Sequence, residues 1–340
     1  MLMLPAPYED ELAYSVWSRY YVKSGYVHYR SVAEDLFVNP NVKPNMEFCN
    51  ALKPNVIHQI GDIEAFISNH TMLNYYSAFL SLDKQVRARN IAYNMDVKSL
   101  VNVLPMHRVR KGLALKYCPL CVLEDREKVH EAYWHRSHQV PELSICHRHK
   151  CYLIKSPISL LSNAPPALVT AEECVDTTPI AISLNDQERA FSDYISEVMQ
   201  VDTLSKTPTP IYLHHKLMGT KYISPRGVKR YIELLSQDFQ EFYKDMDTFG
   251  FGHAWQLEKM FSGYRVNPFE ISLLGFFLGI DAKELVNRDI TINANHIVDF
   301  DNQILQLKAQ GMNYRQISEK QGIAYDYCKV LAKNRLRQST

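Results

Sequence analysis

The stretch that decides the fold reads YCPLC at residues 117–121 and, 24 residues later, CHRHKC at residues 146–151. A Cys-x-x-Cys turn points two sulfurs the same way, so Cys118 and Cys121 can converge on one ion. Cys146-x-x-His149 repeats the geometry and supplies a second pair. Three thiols and an imidazole make a Cys₃His set, the tetrahedral preference of structural zinc. Soft thiolate and imidazole donors argue against Mg²⁺ or Ca²⁺. His147 and Cys151 could each replace His149, and His130, His135 and His138 lie in the intervening loop. Cys-x-x-His matches the Cys-x-x-Cys geometry best, so His149 is preferred. Trp134 is expected to pack over the site.

Working outward, helical patterning dominates, and the fold class expected is mainly α. The 340 residues are 46% hydrophobic and 22% charged, enough for two or three cored domains rather than a disordered chain. The reading divides them into a helical segment at 1–105, a zinc-ribbon or zinc-finger module at 106–155 and a connector at 156–184. A helical segment at 185–295 and a C-terminal helix-turn-helix at 296–340 follow. In the first segment, residues 10–23 place Leu12, Val16, Trp17, Tyr20 and Tyr21 near one helical face. Ser24-Gly25 stops that helix, and a second from about 30 to 37 makes a helix-turn-helix conceivable there too. Further helices are expected at 62–69, 73–81, 83–94, 185–200, 228–243 and 268–278, with another around Trp255.

Seven cysteines, five of them between Cys118 and Cys174, read as metal binding rather than as a disulfide framework. The longest apolar run, Ile271 to Ile280, is about half of the ~20 residues a bilayer demands. The first eleven residues lack a basic signal-peptide start. A cytoplasmic protein is therefore expected.

The net charge of +1 conceals an asymmetry. Residues 106–150 and 301–340 each carry +4, leaving −7 elsewhere. Localised anion contact is implied rather than a generally basic surface. In residues 301–340, Gly311 ends a first helix. Asn313 and Gln316 have the spacing of a capping box for a second, which ends at Gly322. A third helix follows at about 324–335. That is a helix-turn-helix pattern with a basic last helix. Tyr325, Tyr327, Lys329, Lys333 and Arg335 would face double-stranded DNA, with Arg315 of the second helix reaching the backbone.

No catalytic residue is nominated. Four good donors fill a zinc sphere, whereas a catalytic site keeps a position open for water. Neither GxSxG nor a P-loop occurs.

Several segments in order resemble the TniQ family, in its TnsD-like branch. Pro5 to Ser15 (PAPYEDELAYS) with Arg19-Tyr20 is similar to the family's opening. Asn69-His70-Thr71-Met72 with Tyr76 and Phe79 resembles a second motif. Tyr117 to Cys121, Glu131 to Arg136, Pro141 and Cys146 to His149 resemble its zinc core, and Asn267 to Gly279 resembles a later helix. Lys150 departs from the glycine the family often carries after the last histidine. Cys151 and Cys174 form no second knuckle of the kind some members have. The resemblance implies a non-catalytic transposition adaptor with structural zinc on Cys118, Cys121, Cys146 and His149. Such an adaptor selects a target, either attachment-site DNA or an RNA-guided CRISPR effector complex, and recruits a TnsC-type AAA+ ATPase. A zinc-containing transcription regulator is the third reading.

Overall fold

The computed structural model describes residues 3–106, 114–159, 168–177, 179–202, 204–224, 227, 229–263, 267–288 and 306–321. They are mainly helical. Contacts divide the chain into two compact units, residues 1–78 with 83–204, and residues 79–82 with those from 205 onward. None of the described helices is long and apolar enough to cross a membrane.

The first unit is built on α1 (Ala13–Ser24), whose residues Ala13 to Tyr20 are buried. Trp17 stands edge-on to Phe37 and tilts against Phe66, with ring centroids 6.3 and 5.6 Å away. Gly25 stops the helix at φ +67°, a left-handed conformation that a residue with a Cβ resists. Then come α2 (Tyr29–Leu36), α3 (Pro54–Ile60), α4 (Ile63–His70), α5 (Leu73–Ser77), α6 (Leu82–Tyr93) and α7 (Val97–Val103). Asp62 and Asp96 cap α4 and α7 by accepting from the Ala65 and Ser99 amides.

The helix expected over 73–81 is shorter than its apolar pattern. Gln85 Nε2 donates to the Ser77 and Ala78 carbonyls at 3.3 and 3.0 Å, satisfying the acceptors that end α5.

Strand β1 (Ala114–Tyr117) leads into α8 (Pro119–Val129), a short 3₁₀ turn (Ser137–Gln139) and strand β2 (Ile154–Ser159). The strands pair antiparallel, Lys116 opposite Lys155 and Tyr117 opposite Ile154. Leu168, Val169 and Ala171 are buried. The Tyr14 hydroxyl accepts from the Val169 amide at 3.1 Å. The unit ends with α9 (Asp186–Gln200), capped by Asn185.

The second unit contains α10 (Thr209–Leu217), α11 (Ile232–Phe242), α12 (Ala254–Phe261), α13 (Pro268–Phe277), α14 (Ala282–Asn287) and α15 (Tyr314–Gln321). Phe239 packs against Tyr243, Phe251 and Phe277, with centroids 4.7 to 5.5 Å apart. Gly252 is required beneath this cluster. Its φ is +128°, and a Cβ there would stand 2.8 Å from the Phe239 ring.

The helix expected from 228 starts instead at Ile232. Arg230 pairs with Ile223 in an antiparallel bridge, and the Tyr231 amide bonds the Tyr222 carbonyl at 2.7 Å. Those pairings hold Arg230 and Tyr231 against Ile223 and Tyr222 and withhold them from the helix.

Arg288 is fully buried among carbonyls and donates to those of Thr207, Leu80 and Leu285. Burial lowers its pKa to about 10, still charged at neutral pH.

At the C-terminal end, residues 306–309 are helical and Gly311 turns the chain at φ +87°. Asn313 and Gln316 cap α15 reciprocally, each side chain accepting from the other's amide at 2.9 Å. The third helix expected at about 324–335 lies outside the described residues.

A candidate metal centre in the first unit

The first knuckle sits at a helix start. Cys118 is the N-cap of α8, Pro119 follows at the first helical position, and the Cys121 amide donates to Cys118 Sγ at 3.4 Å. Proline tolerates that position because its missing N–H has no helical partner to lose. The free amides and dipole of a helix N-terminus also favour negative sulfur.

The second knuckle is the turn of a hairpin. Ile145 bridges Tyr152, the Cys146 amide bonds the Cys151 carbonyl, and the Lys150 amide bonds the Cys146 carbonyl, both at 2.9 Å. Closing this turn requires Lys150 at φ +55°. That explains why a glycine suits the position, and here the strained lysine gains contacts of its own. Its ammonium donates to the His147 carbonyl at 2.5 Å and pairs with Asp193 of α9.

The structure brings Cys118, Cys121, Cys146 and His149 together, with donor atoms all within 4.8 Å of one another. His149 Nδ1 lies 3.4, 3.3 and 3.9 Å from the sulfurs of Cys118, Cys121 and Cys146. The sulfurs of Cys121 and Cys146 are 3.7 Å apart. Zinc bond lengths of ~2.3 Å to sulfur and ~2.0 Å to nitrogen give tetrahedron edges of about 3.8 Å (S···S) and about 3.6 Å (S···N). The set therefore fits a metal ion. Leu120 and Leu153 pack on the sulfurs. Trp134 is buried. Its indole donates to the Val169 carbonyl, its amide to Ser15 Oγ, and its carbonyl accepts from the Leu12 amide.

His149 is oriented from behind. Its Nε2 is 2.8 Å from Glu124 Oε1, and Arg148 pairs with the other carboxylate oxygen at 2.6 Å. The His149 contact, reinforced by the Arg148 charge, holds the Glu124 carboxyl below its ordinary pKa. A carboxylate behind a ligating imidazole fixes its tautomer and raises its basicity. Glu124→Ala should weaken metal affinity by about 10-fold in competition with a chromophoric chelator.

The other sequence candidates stand outside the four-donor set. His130 caps the end of α8 at φ +64°. His147 uses its carbonyl to hold Lys150. His138 is buried, with Nε2 3.6 Å from Cys121 Sγ. Cys174 donates to the Thr170 carbonyl. Arg315 is on an exposed position of α15. Tyr325, Tyr327, Lys329, Lys333 and Arg335 lie outside the described residues.

A buried polar network ties this centre to the N-terminal segment, and sequence reasoning did not anticipate it. Residues 10–12 run antiparallel to 134–136, joined by the Leu12 amide to Trp134 and the Arg136 amide to Asp10 at 2.9 and 2.7 Å. Arg19 bonds Glu11 at 2.8 Å and Glu131 at 2.9 Å, and its guanidinium lies 3.7 Å above the Tyr8 ring. Asp10 accepts from the Ser137 hydroxyl at 2.6 Å.

His135 is clasped by Asp125 at 2.9 Å and Asp10 at 3.7 Å, and stacks on Tyr133. Burial opposes its charge, but the two flanking carboxylates, Asp10 close by and Asp125 hydrogen-bonded to it, outweigh that penalty and raise its pKa to about 9. A histidine with a raised folded pKa stabilises fully below its unfolded value and loses that contribution as pH rises through the folded one. The window here is from about 6.5 to about 9, and the amount is about 3 kcal/mol. The stability advantage of wild type over His135→Gln should shrink by about that much across the window in urea titrations. An unchanged advantage at pH 9 would show that His135 stays neutral.

The TniQ family model matches residues 2–153, which take in the N-terminal segment, both knuckles and the network between them. The Escherichia coli transposon Tn7 transposition protein TnsD is 27% identical over 155 residues. That match covers 44% of this chain and 30% of TnsD, so the chain spans less than a third of that relative's length. Residues 2–153 match the TniQ domain model, and over that segment the chain is TniQ/TnsD-like.

Proposed function

We propose that this chain is a target-selection adaptor for transposition. It binds attachment-site DNA and recruits a TnsC-type AAA+ ATPase, which directs insertion of the element. The TniQ domain at residues 2–153, together with the likeness to TnsD of Tn7, carries the reading. Zinc on Cys118, Cys121, Cys146 and His149 has a structural part in it. Four protein donors close the sphere and leave no corner for a reacting water, so the adaptor makes and breaks no bonds itself. The +4 charge of residues 301–340 supports DNA contact there, with Arg315, Lys329, Lys333 and Arg335 on phosphates and Tyr325 and Tyr327 among the base contacts. An adaptor with these partners works in the cytoplasm.

Gel shifts at several salt concentrations test the DNA half of the proposal, with a duplex from the element's insertion junction and a scrambled duplex. Specific binding with a steep salt dependence is expected. The triple variant Lys329→Glu, Lys333→Glu, Arg335→Glu should abolish it, and binding left intact would remove the last helix from the interface. A pulldown against the cognate ATPase tests the other half. Retention by residues 1–204 would place recruitment in the first unit, and no retention by the full chain would refute recruitment.

A further inference from the structure

A further buried thiol stands beside the four grouped donors. Cys151 is fully buried, its Sγ lies 3.1 Å from Cys118 Sγ, and it belongs to the same buried cluster as Cys118, Cys121 and Cys146. It stands two residues beyond His149, across the strained turn at Lys150. A buried thiol otherwise behaves as a small apolar group, and nothing about packing requires it to touch another donor's sulfur.

The five donors are not equivalent. The four cysteines are 0% exposed, whereas the His149 side chain is 16% exposed. His149 is also held by Glu124, which is itself half-exposed and shared with Arg148 and Lys128. The imidazole is therefore the corner most easily vacated. Thiolate is the softer donor, and zinc accepts a Cys₄ sphere as readily as Cys₃His.

We propose that Cys151 is a fifth, reserve donor. When His149 leaves, Cys151 takes its corner and the ion keeps a complete sphere as Cys₄. The site is thus selective for thiophilic divalent ions, and its exposed corner can exchange without loss of metal. This inference rests on the reading that the Cys₃His set holds zinc.

Cobalt(II) titration of the full chain tests it, with zinc competition against a chelator as second readout. His149→Ala should still bind one cobalt tetrahedrally, with stronger sulfur-to-cobalt charge transfer than wild type. Cys151→Ala should keep the wild-type spectrum. The double variant should lose more than about 100-fold in affinity, beyond what an outer-shell change costs. If His149→Ala does not fold, His149→Gln is measured in its place, because its amide can still reach Glu124. Metal lost from both single His149 variants as completely as from the double would overturn the reserve-donor proposal. So would a His149→Ala spectrum with no added thiolate. Failure of wild type itself to bind zinc would instead sink the reading beneath it.

Discussion

Replacing Cys118 and Cys121 together by serine is expected to release the metal and unfold the centre of the first unit. The pair forms one whole knuckle, and the donors left behind, Cys146 and His149, both sit on a single hairpin. What then joins α8 to that hairpin is the partly exposed contact of Glu124 with Arg148 and His149. Metal binding to structural zinc sites is worth about 10–16 kcal/mol in isolated fingers, as much as the whole stability of a typical domain. Residues 114–159 should therefore become susceptible to limited proteolysis, and the cooperative melt of the first unit should be lost. Cys174→Ser, outside the cluster, should change stability by less than about 1 kcal/mol. Equal protease resistance of the double variant and wild type would show that packing alone holds this region.

The second large effect concerns Arg19. Its partner Glu11 has a side chain that is 0% exposed, and burial pushes the Glu11 carboxyl's pKa up even with Arg19 beside it. Arg19→Leu leaves that acid buried without a cation and strips the face of Tyr8 and the Ala6 carbonyl of their donor. Breaking a buried pair from one side costs about 3–5 kcal/mol. For a unit of this size that is a fall in Tm of roughly 10 °C. Glu131 keeps access to water and to Lys23, so it contributes little to the loss. Changing Glu11 to Leu as well should restore much of the stability, because an apolar pair has no charge to strand. Strictly additive losses in the double variant would show that the two residues are not energetically coupled.

These two sites differ in how far the sequence disclosed them. The knuckles were legible because ligand spacing is local: a three-residue step can deliver two donors to one ion whatever the rest of the chain does. Helix α1 was legible for the same reason, with Leu12, Val16, Trp17 and Tyr20 on one stripe and all buried. The capping box at Asn313 is a contact three residues long, and it forms as its spacing suggests.

The Arg19 network is a different case. Glu11 and Glu131 are 120 positions apart, and no periodicity links them. The signal present was a cluster of charges, Glu9-Asp10-Glu11, Arg19 and Glu131, within otherwise apolar segments. Resemblance located those residues without saying that they bond to one another. Short elements escaped for another reason. α3, α7 and the two strands are four to seven residues long, below the length at which an amphipathic period can be counted. Ends were set from a distance too: Gln85 terminates α5 and the Ile223–Arg230 bridge delays α11.

The central claim is that a closed ion clamp stiffens a scaffold that joins one macromolecule to another. Its most direct measurement is the metal content of the purified full chain by mass spectrometry, followed by thermal melting with and without a strong chelator. One tightly bound zinc per chain is predicted, with the first unit's transition lost on chelation. A chain that purifies folded without metal, or melts unchanged once stripped of it, would contradict the account.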